Sequence, residues 1–320
     1  MSIAPESILI TGHSGFVGRH LAPLCHERYP GARLFGVSHV PAAEPGELSS
    51  LQSLRADITD RAQVRAVLEA ARPDLIFHLA GQASVGESWK RPDVTLAVNA
   101  GGALNLLEEL HTLGLRPRVL LVGSSEQYGV VTPEDNPVRE ERPLHPVTPY
   151  AVSKAAQDML GYQYFASYGI DVLRIRAFNH FGPWQPPAFV IASFARQIAL
   201  IEAGRAESVV RVGNLEARRD FLAVGDVVRA YLALAERGRP GAAYNVGSGV
   251  ATAIQAILDM LIAQATVPIR VEMDQTLLRP VDVPIVYADT SRLHADTGWE
   301  PALALPGALA ATLDYWRGHV

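Results

Sequence analysis

A short apolar run, Ile8-Leu9-Ile10-Thr11, ends in glycines and passes into helix-like spacing from Phe16 to Arg28. A brief continuous apolar run bounded by turn residues reads as a buried strand, and apolar positions every three or four residues read as a helix with one buried side. The alternation recurs along the first half. Arg33–Val37 predicts a second strand, Arg61–Ala71 a helix and Leu75–Leu79 a third strand. The stretch Thr95–Leu113 predicts a longer helix, followed by a strand at Val119–Val122. Another helix begins near Tyr150 and leads to a strand at Val172–Ile175. Strands alternating with helices predict an α/β fold, a doubly wound parallel sheet covered on both faces. The Pro-, Gly-, Ala- and Ser-rich segment from Pro41 to Ser50 predicts a loop.

The alternation breaks after Asn179, where Pro183, Pro186 and Pro187 crowd together before a helix predicted at Phe189–Glu202. The chain therefore divides into a nucleotide-binding part, 1–178, and a smaller C-terminal lobe, 179–320, from which the sheet can still borrow strands. Neither repeats nor low-complexity tracts interrupt this order.

Composition narrows the partners. In 320 residues there are 28 basic and 33 acidic side chains, a net charge of −5, with no long run of either sign. Nucleic acid and anionic membrane are not the expected partners of such a surface. A single cysteine, Cys25, excludes an intrachain disulfide and a multi-cysteine metal site. No His, Cys, Asp or Glu cluster has metal-ligand spacing. No apolar run approaches the roughly 20 residues that span a bilayer. The first apolar stretch lacks the basic flank and length of a signal peptide. A cytoplasmic location is the expectation.

Two stretches carry chemistry. Thr11-Gly12-His13-Ser14-Gly15-Phe16-Val17-Gly18 places glycines between a strand and a helix N-terminus. Backbone N–H groups in such a turn can approach a pyrophosphate, and the helix dipole favours the anion. Tyr150 and Lys154 stand four residues apart at the start of a predicted helix, on one face and one turn apart. An ammonium beside a phenol lowers the tyrosine pKa, which suits proton transfer to or from a sugar oxygen. By itself the same spacing also describes an exposed helix face.

Taken with Val122-Gly123-Ser124-Ser125-Glu126-Gln127-Tyr128-Gly129 between them, these motifs resemble the extended short-chain dehydrogenases/reductases acting on nucleotide sugars. Arg176-Ala177-Phe178-Asn179-His180-Phe181-Gly182-Pro183, Val212 to Phe221 and Leu278 to Pro284 are similar to the GDP-sugar branch, which holds GDP-mannose 4,6-dehydratases and GDP-4-keto-6-deoxymannose reductases. The resemblance covers essentially the whole chain and implies a Rossmann-like sheet.

It also implies roles. Ser124 would hydrogen-bond the reacting sugar oxygen, Tyr150 would be the acid/base, and Lys154 would bind the nicotinamide ribose. Gly12, Gly15, Phe16, Val17 and Gly18 would hold the pyrophosphate. Asp57 and Ile58 match adenine-contacting positions, and Asp57 can equally cap the following helix. Leu79 and Ala80 would pass beneath the cofactor, with Asn99 supporting the site. Asn179, Arg219 and Arg279 match positions that hold the sugar nucleotide, where an arginine fork suits a diphosphate. His78 reads as a core histidine, His13 as incidental, His180 as a loop holder and Trp89 as loop packing. In this family, helices equivalent to Thr95–Leu113 and Tyr150–Ala166 pair with a second subunit as a four-helix bundle. Leu96, Leu104, Leu107, Met159, Tyr162 and Phe165 would supply that homodimer contact.

The second strand is followed by Ser38-His39 with no acid before Glu44, so nothing nearby repels a ribose 2′-phosphate. Ser38, His39 or Arg19 could assist one. NADP(H) is favoured and NAD(H) is possible, since the basic segment of many dehydratases is missing. Glu126 occupies the position of a dehydratase's additional acid/base, but some reductases keep it. The chain's modest length, Arg219-Asp220-Phe221 and Tyr244 to Gly249 are more reductase-like. The expected reaction is NADPH-dependent reduction of GDP-4-keto-6-deoxymannose to GDP-rhamnose; the alternatives are 4,6-dehydration of GDP-mannose and a silent nucleotide-sugar-binding relative.

Overall fold

In the computed structural model, which describes residues 4–39, 50–277 and 283–320, the opening apolar run forms strand β1, Ser7–Thr11, buried along its whole length. Helix α1, Phe16–Arg28, follows the glycine turn, and β2, Arg33–Ser38, returns parallel to β1. Strand β3, Leu51–Arg55, was not expected from the sequence. It is a half-exposed edge strand with a polar middle, so it lacks the continuous apolar run that marked the others. Helix α2, Arg61–Ala71, and strand β4, Leu75–His78, fall where the periodicity put them.

The expected single helix at Thr95–Leu113 is three pieces. After α3, Val85–Lys90, come α4, Pro92–Leu96, a π-helical turn at Ala97–Gly101, and α5, Gly102–Thr112. Strand β5, Arg118–Val122, helix α6, Pro149–Tyr168, and strand β6, Asp171–Ala177, complete the first half. Thr148 caps α6 through a bond from the Ala151 N–H, Pro149 occupies its first turn, and Gly169 ends it in the left-handed conformation.

The second half supplies β7, Asn179–Phe181, α7, Val190–Glu202, β8, Val209–Val212, β9, Arg218–Ala223, and α8, Val224–Arg237. Strands β10, Ala243–Val246, and β11, Ala251–Ala253, precede helix α9, Ile254–Ile262. Strands β12, Arg270–Met273, and β13, Ile285–Val286, are followed by helices α10, Ser291–Thr297, and α11, Leu305–Arg317.

The main sheet has seven strands in the order β10-β6-β5-β4-β1-β2-β3, all parallel. The order reverses between β1 and β4, and this is where a doubly wound sheet opens a crevice for a dinucleotide. Its last strand, β10, comes from beyond residue 178, and α8 packs with α1 on one face. Val64, Val67, Leu106, Leu107 and Leu110 cover the other face. A third apolar cluster joins α7, α9 and α11 around β8 and β9. The loop expected at Pro41–Ser50 lies, except for Ser50, outside the described residues.

Candidate active site

The site forms at the carboxyl ends of β1, β4, β5 and β6. Gly12 leaves β1 with φ +75°, and a Cβ there would lie 2.9 Å from the Ala80 backbone nitrogen, so only glycine fits between the two chain segments. Gly15 is the N-cap of α1 and offers no side-chain cap, which leaves the first N–H groups of the helix, those of Phe16, Val17 and Gly18, without an intrahelical acceptor. An uncapped N-terminus against a strand crossover fits a dinucleotide pyrophosphate. Leu79 and Ala80 are tied to the same turn: the Leu79 N–H donates to the Thr11 carbonyl at 3.2 Å and the Ala80 N–H to the Thr11 hydroxyl at 3.2 Å.

The next residue brings the two motifs together. A Cβ on Gly81 would meet Asn99 Oδ1 at 2.9 Å and Lys154 Nζ at 3.4 Å. Asn99, fully buried in the π-helical turn, donates to the Gln82 carbonyl at 3.0 Å and to Ser153 Oγ at 2.8 Å, and accepts from the Gln82 N–H at 2.8 Å. The π turn therefore does positional work, setting one carboxamide between the end of β4 and the start of α6. Gln82 and Ser153 were not singled out from sequence; Ser153 was visible as the residue between Tyr150 and Lys154.

Tyr150 and Lys154 are both nearly buried, on the first turns of α6. The Ser124 hydroxyl, which accepts from the Glu126 N–H at 3.2 Å, stands near enough to the Tyr150 phenol to lower its pKa. Burial pushes the phenol up to about 12; the Ser124 hydroxyl works against that rise and the Glu126 carboxylate adds to it. The expectation that Lys154 lowers the tyrosine pKa is not met in this arrangement. Lys154 Nζ donates instead to the Val122 carbonyl at 2.8 Å and to Gln157 Oε1 at 2.9 Å, and burial lowers its own pKa to about 8. Gln157, one turn further along α6, is a third residue that was not singled out from sequence.

Ser124 and Glu126 sit on a short 3₁₀ turn, Ser125–Tyr128, held from below by charge. Asp158 on α6 accepts from Gln127 Nε2 at 3.2 Å and from Arg174 and Arg176, and Arg176 also donates to the Tyr128 hydroxyl at 3.0 Å. His78 is buried as expected, with Nδ1 2.9 Å from Thr11 Oγ1, and burial lowers its pKa to about 3, so the ring is neutral.

The remaining expected residues spread outward. Asn179 begins β7, in register with Phe221 of β9, the strand that carries Arg219. Arg219 Nη1 donates to the carbonyls of Arg218 and Val283. Arg279 lies outside the described residues. Asp57 forms an Asx turn with the Thr59 N–H at 2.9 Å, whereas the cap of α2 is Asp60, so the capping alternative for Asp57 is wrong by three residues. Ile58 packs over Gly102. His180 donates through Nδ1 to the Phe178 carbonyl at 2.9 Å, and its ring stacks on Phe16. His13 fills the space above Gly36. Trp89 stands on α3 and is 63% exposed. Asp220, in the branch motif, accepts from the N–H groups of Ser248 at 2.6 Å, Gly249 at 3.0 Å and Ala288 at 3.1 Å. It thereby fastens β9 to the turn after β10.

A parallel sheet reversing between β1 and β4, an uncapped glycine turn, and a Ser124–Tyr150–Lys154 cluster beside it define an extended short-chain dehydrogenase/reductase. The family model described as GDP-mannose 4,6 dehydratase matches residues 9–312, and the chain belongs to that family. It is 37% identical to the GDP-6-deoxy-D-mannose reductase of Pseudomonas aeruginosa over 98% of each chain. Among solved structures, RMD from Pseudomonas aeruginosa complexed with NADPH is 36% identical with a TM-score of 0.85, covering 98% of this chain and 100% of that one. The Thermus thermophilus UDP-glucose 4-epimerase complexed with NAD is 30% identical with a TM-score of 0.86, covering 98% and 99%. Among the described residues no helix is long and apolar enough to cross a membrane.

Proposed function

We propose that this protein reduces the C4 ketone of GDP-4-keto-6-deoxy-D-mannose with NADPH, giving GDP-6-deoxy-D-mannose, which is GDP-D-rhamnose. The observation that carries this reading is the likeness to a reductase of that name over 98% of both chains. NADPH, when bound, supplies the hydride. The α1 N-terminus and the Gly12 turn would hold its pyrophosphate, Asp57 and Ile58 would border its adenine, and Lys154 would take its nicotinamide ribose. Asn179, Arg219 and Arg279 would hold the GDP-sugar. Ser124 would donate a hydrogen bond to the C4 oxygen. Tyr150, kept protonated by its raised pKa, would give that oxygen its proton as the alcohol forms.

The second reading, dehydration of GDP-mannose, is favoured by one observation: the Glu126 carboxylate lies close enough to Tyr150 to raise its pKa. A dehydratase must move a proton at C5 and protonate the departing C6 hydroxyl, and Glu126 could do so. The test supplies GDP-mannose alone, and separately the 4-keto-6-deoxy sugar nucleotide with NADPH. Only the second pair is expected to react, with one NADPH oxidised per product. The Glu126→Gln variant is expected to keep reduction within roughly tenfold, because no proton passes through that carboxyl. Turnover of GDP-mannose by the wild type, lost by about 10²–10⁴ in Glu126→Gln, would establish the dehydratase instead.

The same reading includes a cytoplasmic homodimer built on a four-helix bundle. Leu96 and Leu104 on one side and Met159 and Tyr162 on α6 are exposed apolar side chains, joined by Val94 and Val152. Val152, Met159 and Tyr162 share one face of α6 by helical spacing. One of the six expected contacts drops out, since Leu107 is buried in the core; the half-buried Phe165 ring packs over Gly241. Light scattering at micromolar concentration is expected to give twice the chain mass, and Met159→Asp with Tyr162→Asp to give the single chain. A wild-type monomer would count against the bundle.

A further inference from the structure

We propose that Gln157 is a positioning residue: with the Val122 carbonyl it clamps the Lys154 ammonium in one orientation, leaving a single N–H for the nicotinamide ribose. This rests on the cofactor reading above. Lys154 Nζ carries three hydrogens. One goes to the Val122 carbonyl at 2.8 Å and one to Gln157 Oε1 at 2.9 Å. Gln157 closes the triangle, because its Nε2 donates to the same Val122 carbonyl at 3.1 Å. The carboxamide is therefore held at both ends, and reversing it would turn an NH₂ group onto the ammonium. Gln157 is 1% exposed and Lys154 6%, so little water reaches either bond.

The clamp joins two parts of the site. Val122 ends β5 two residues before Ser124, while Gln157 and Lys154 are one turn apart on α6. The lysine is thus tied to the strand that leads to the serine as well as to the helix that carries Tyr150. On the β4 side a Cβ at Gly81 would stand 3.4 Å from Nζ, so glycine keeps that side of the ammonium uncrowded. A lysine stem has many rotamers, and two fixed acceptors remove that freedom before a cofactor arrives. Both acceptors are neutral, which matters. A carboxylate at 157 would pair with the ammonium, and an apolar side chain would leave a buried cation with one acceptor fewer. The titratable groups around Lys154 are neutral His78 on β4, protonated Tyr150 one turn back, and Glu126, which acts on Tyr150. Asp158, further along α6, is bound by Arg174 and Arg176. No carboxylate among the described residues pairs with Lys154, and burial alone lowers its pKa, to about 8. The rival account makes Gln157 a strut that only pins α6 to β5.

Dissociation constants from fluorescence titration or calorimetry test this without turnover. The ligands are NADPH and its fragment 2′,5′-ADP, which lacks the nicotinamide ribose. Gln157→Met keeps the side-chain length and removes both carboxamide bonds. It is expected to weaken NADPH by roughly tenfold, the scale of one hydrogen bond to a charged group, and to leave 2′,5′-ADP within about twofold. The pH dependence of NADPH binding separates the clamp from the strut. Wild-type affinity is expected to hold below pH about 8 and to fall above it, as the ammonium loses its proton. That fall is expected at lower pH in Gln157→Met, and at higher pH in Gln157→Glu, where a carboxylate favours the charged lysine. Gln157→Glu is nearly isosteric and carries the pH comparison by itself if Gln157→Met does not fold. Equal weakening of both ligands, unchanged NADPH affinity in Gln157→Met, or one pH profile shared by wild type and Gln157→Glu makes the residue a strut and overturns the clamp. A wild type that binds neither NADPH nor NADH overturns the cofactor reading and the clamp with it. The identity of the sugar substrate is decided by the assay above and not by these titrations.

Discussion

The Tyr150→Phe enzyme is expected to lose roughly 10²–10⁴-fold in turnover while binding NADPH as the wild type does. The phenol stands near Ser124, whose hydroxyl lowers its pKa, and lies one helical turn from Lys154, whose ammonium reaches Gly81 just beyond β4. Removing one oxygen leaves the ring packing and the glycine turn as they are. Burial keeps the phenol protonated near neutral pH, so the group lost is a proton donor of fixed position. Single-turnover reduction by stopped-flow and NADPH titration separate the two effects. Turnover within about threefold of wild type would remove Tyr150 from the proton-transfer step; a parallel loss of NADPH affinity would make it a binding residue.

Much of this arrangement was legible because parallel strands and their glycine turns leave local marks. The strands β1, β4 and β5 are continuous apolar runs, and α2 shows a clean amphipathic period, with Val64, Val67, Leu68 and Ala71 buried. The glycine run and the Tyr150–Lys154 spacing are marks within a few residues, although what requires glycine at position 12 is the distant Ala80 backbone. What the sequence hid is set by distant partners. The π turn at Ala97–Gly101 exists around Asn99, whose bonds go to Gln82 and Ser153, and neither partner is near it in the chain. Strand β3 is marked by pairing with β2 and not by its own composition. Leu107 reads as part of an apolar stripe, but only the packing of α5 decides that it faces the core while Leu104 does not. The pKa of Tyr150 likewise depends on how deeply α6 is buried, and spacing alone suggested the opposite direction.

The largest loss of stability is expected from Asp158→Ala, about 3–5 kcal/mol, read from urea unfolding. Asp158 lies one turn beyond Lys154, on the buried face of α6, and its carboxylate is met by the guanidinium groups of Arg174 and Arg176 from β6. Arg176 is itself 5% exposed. Burial opposes the charge on Asp158, but the bonds from the two arginines outweigh it and hold the carboxyl below its usual range. Its contribution is therefore present above the unfolded pKa and lost as pH falls through the depressed one. Truncation to alanine strips the countercharge from a buried arginine, which costs more than the pair contributes when intact. It also frees Gln127, and through Arg176 loosens Tyr128, on the turn that begins after Ser124. Activity should therefore fall even at temperatures where the variant is folded, with Asp158→Asn losing less of both. A destabilisation below about 1 kcal/mol would show that the arginines find water or other partners, and that the Ser124 turn is held by its own packing.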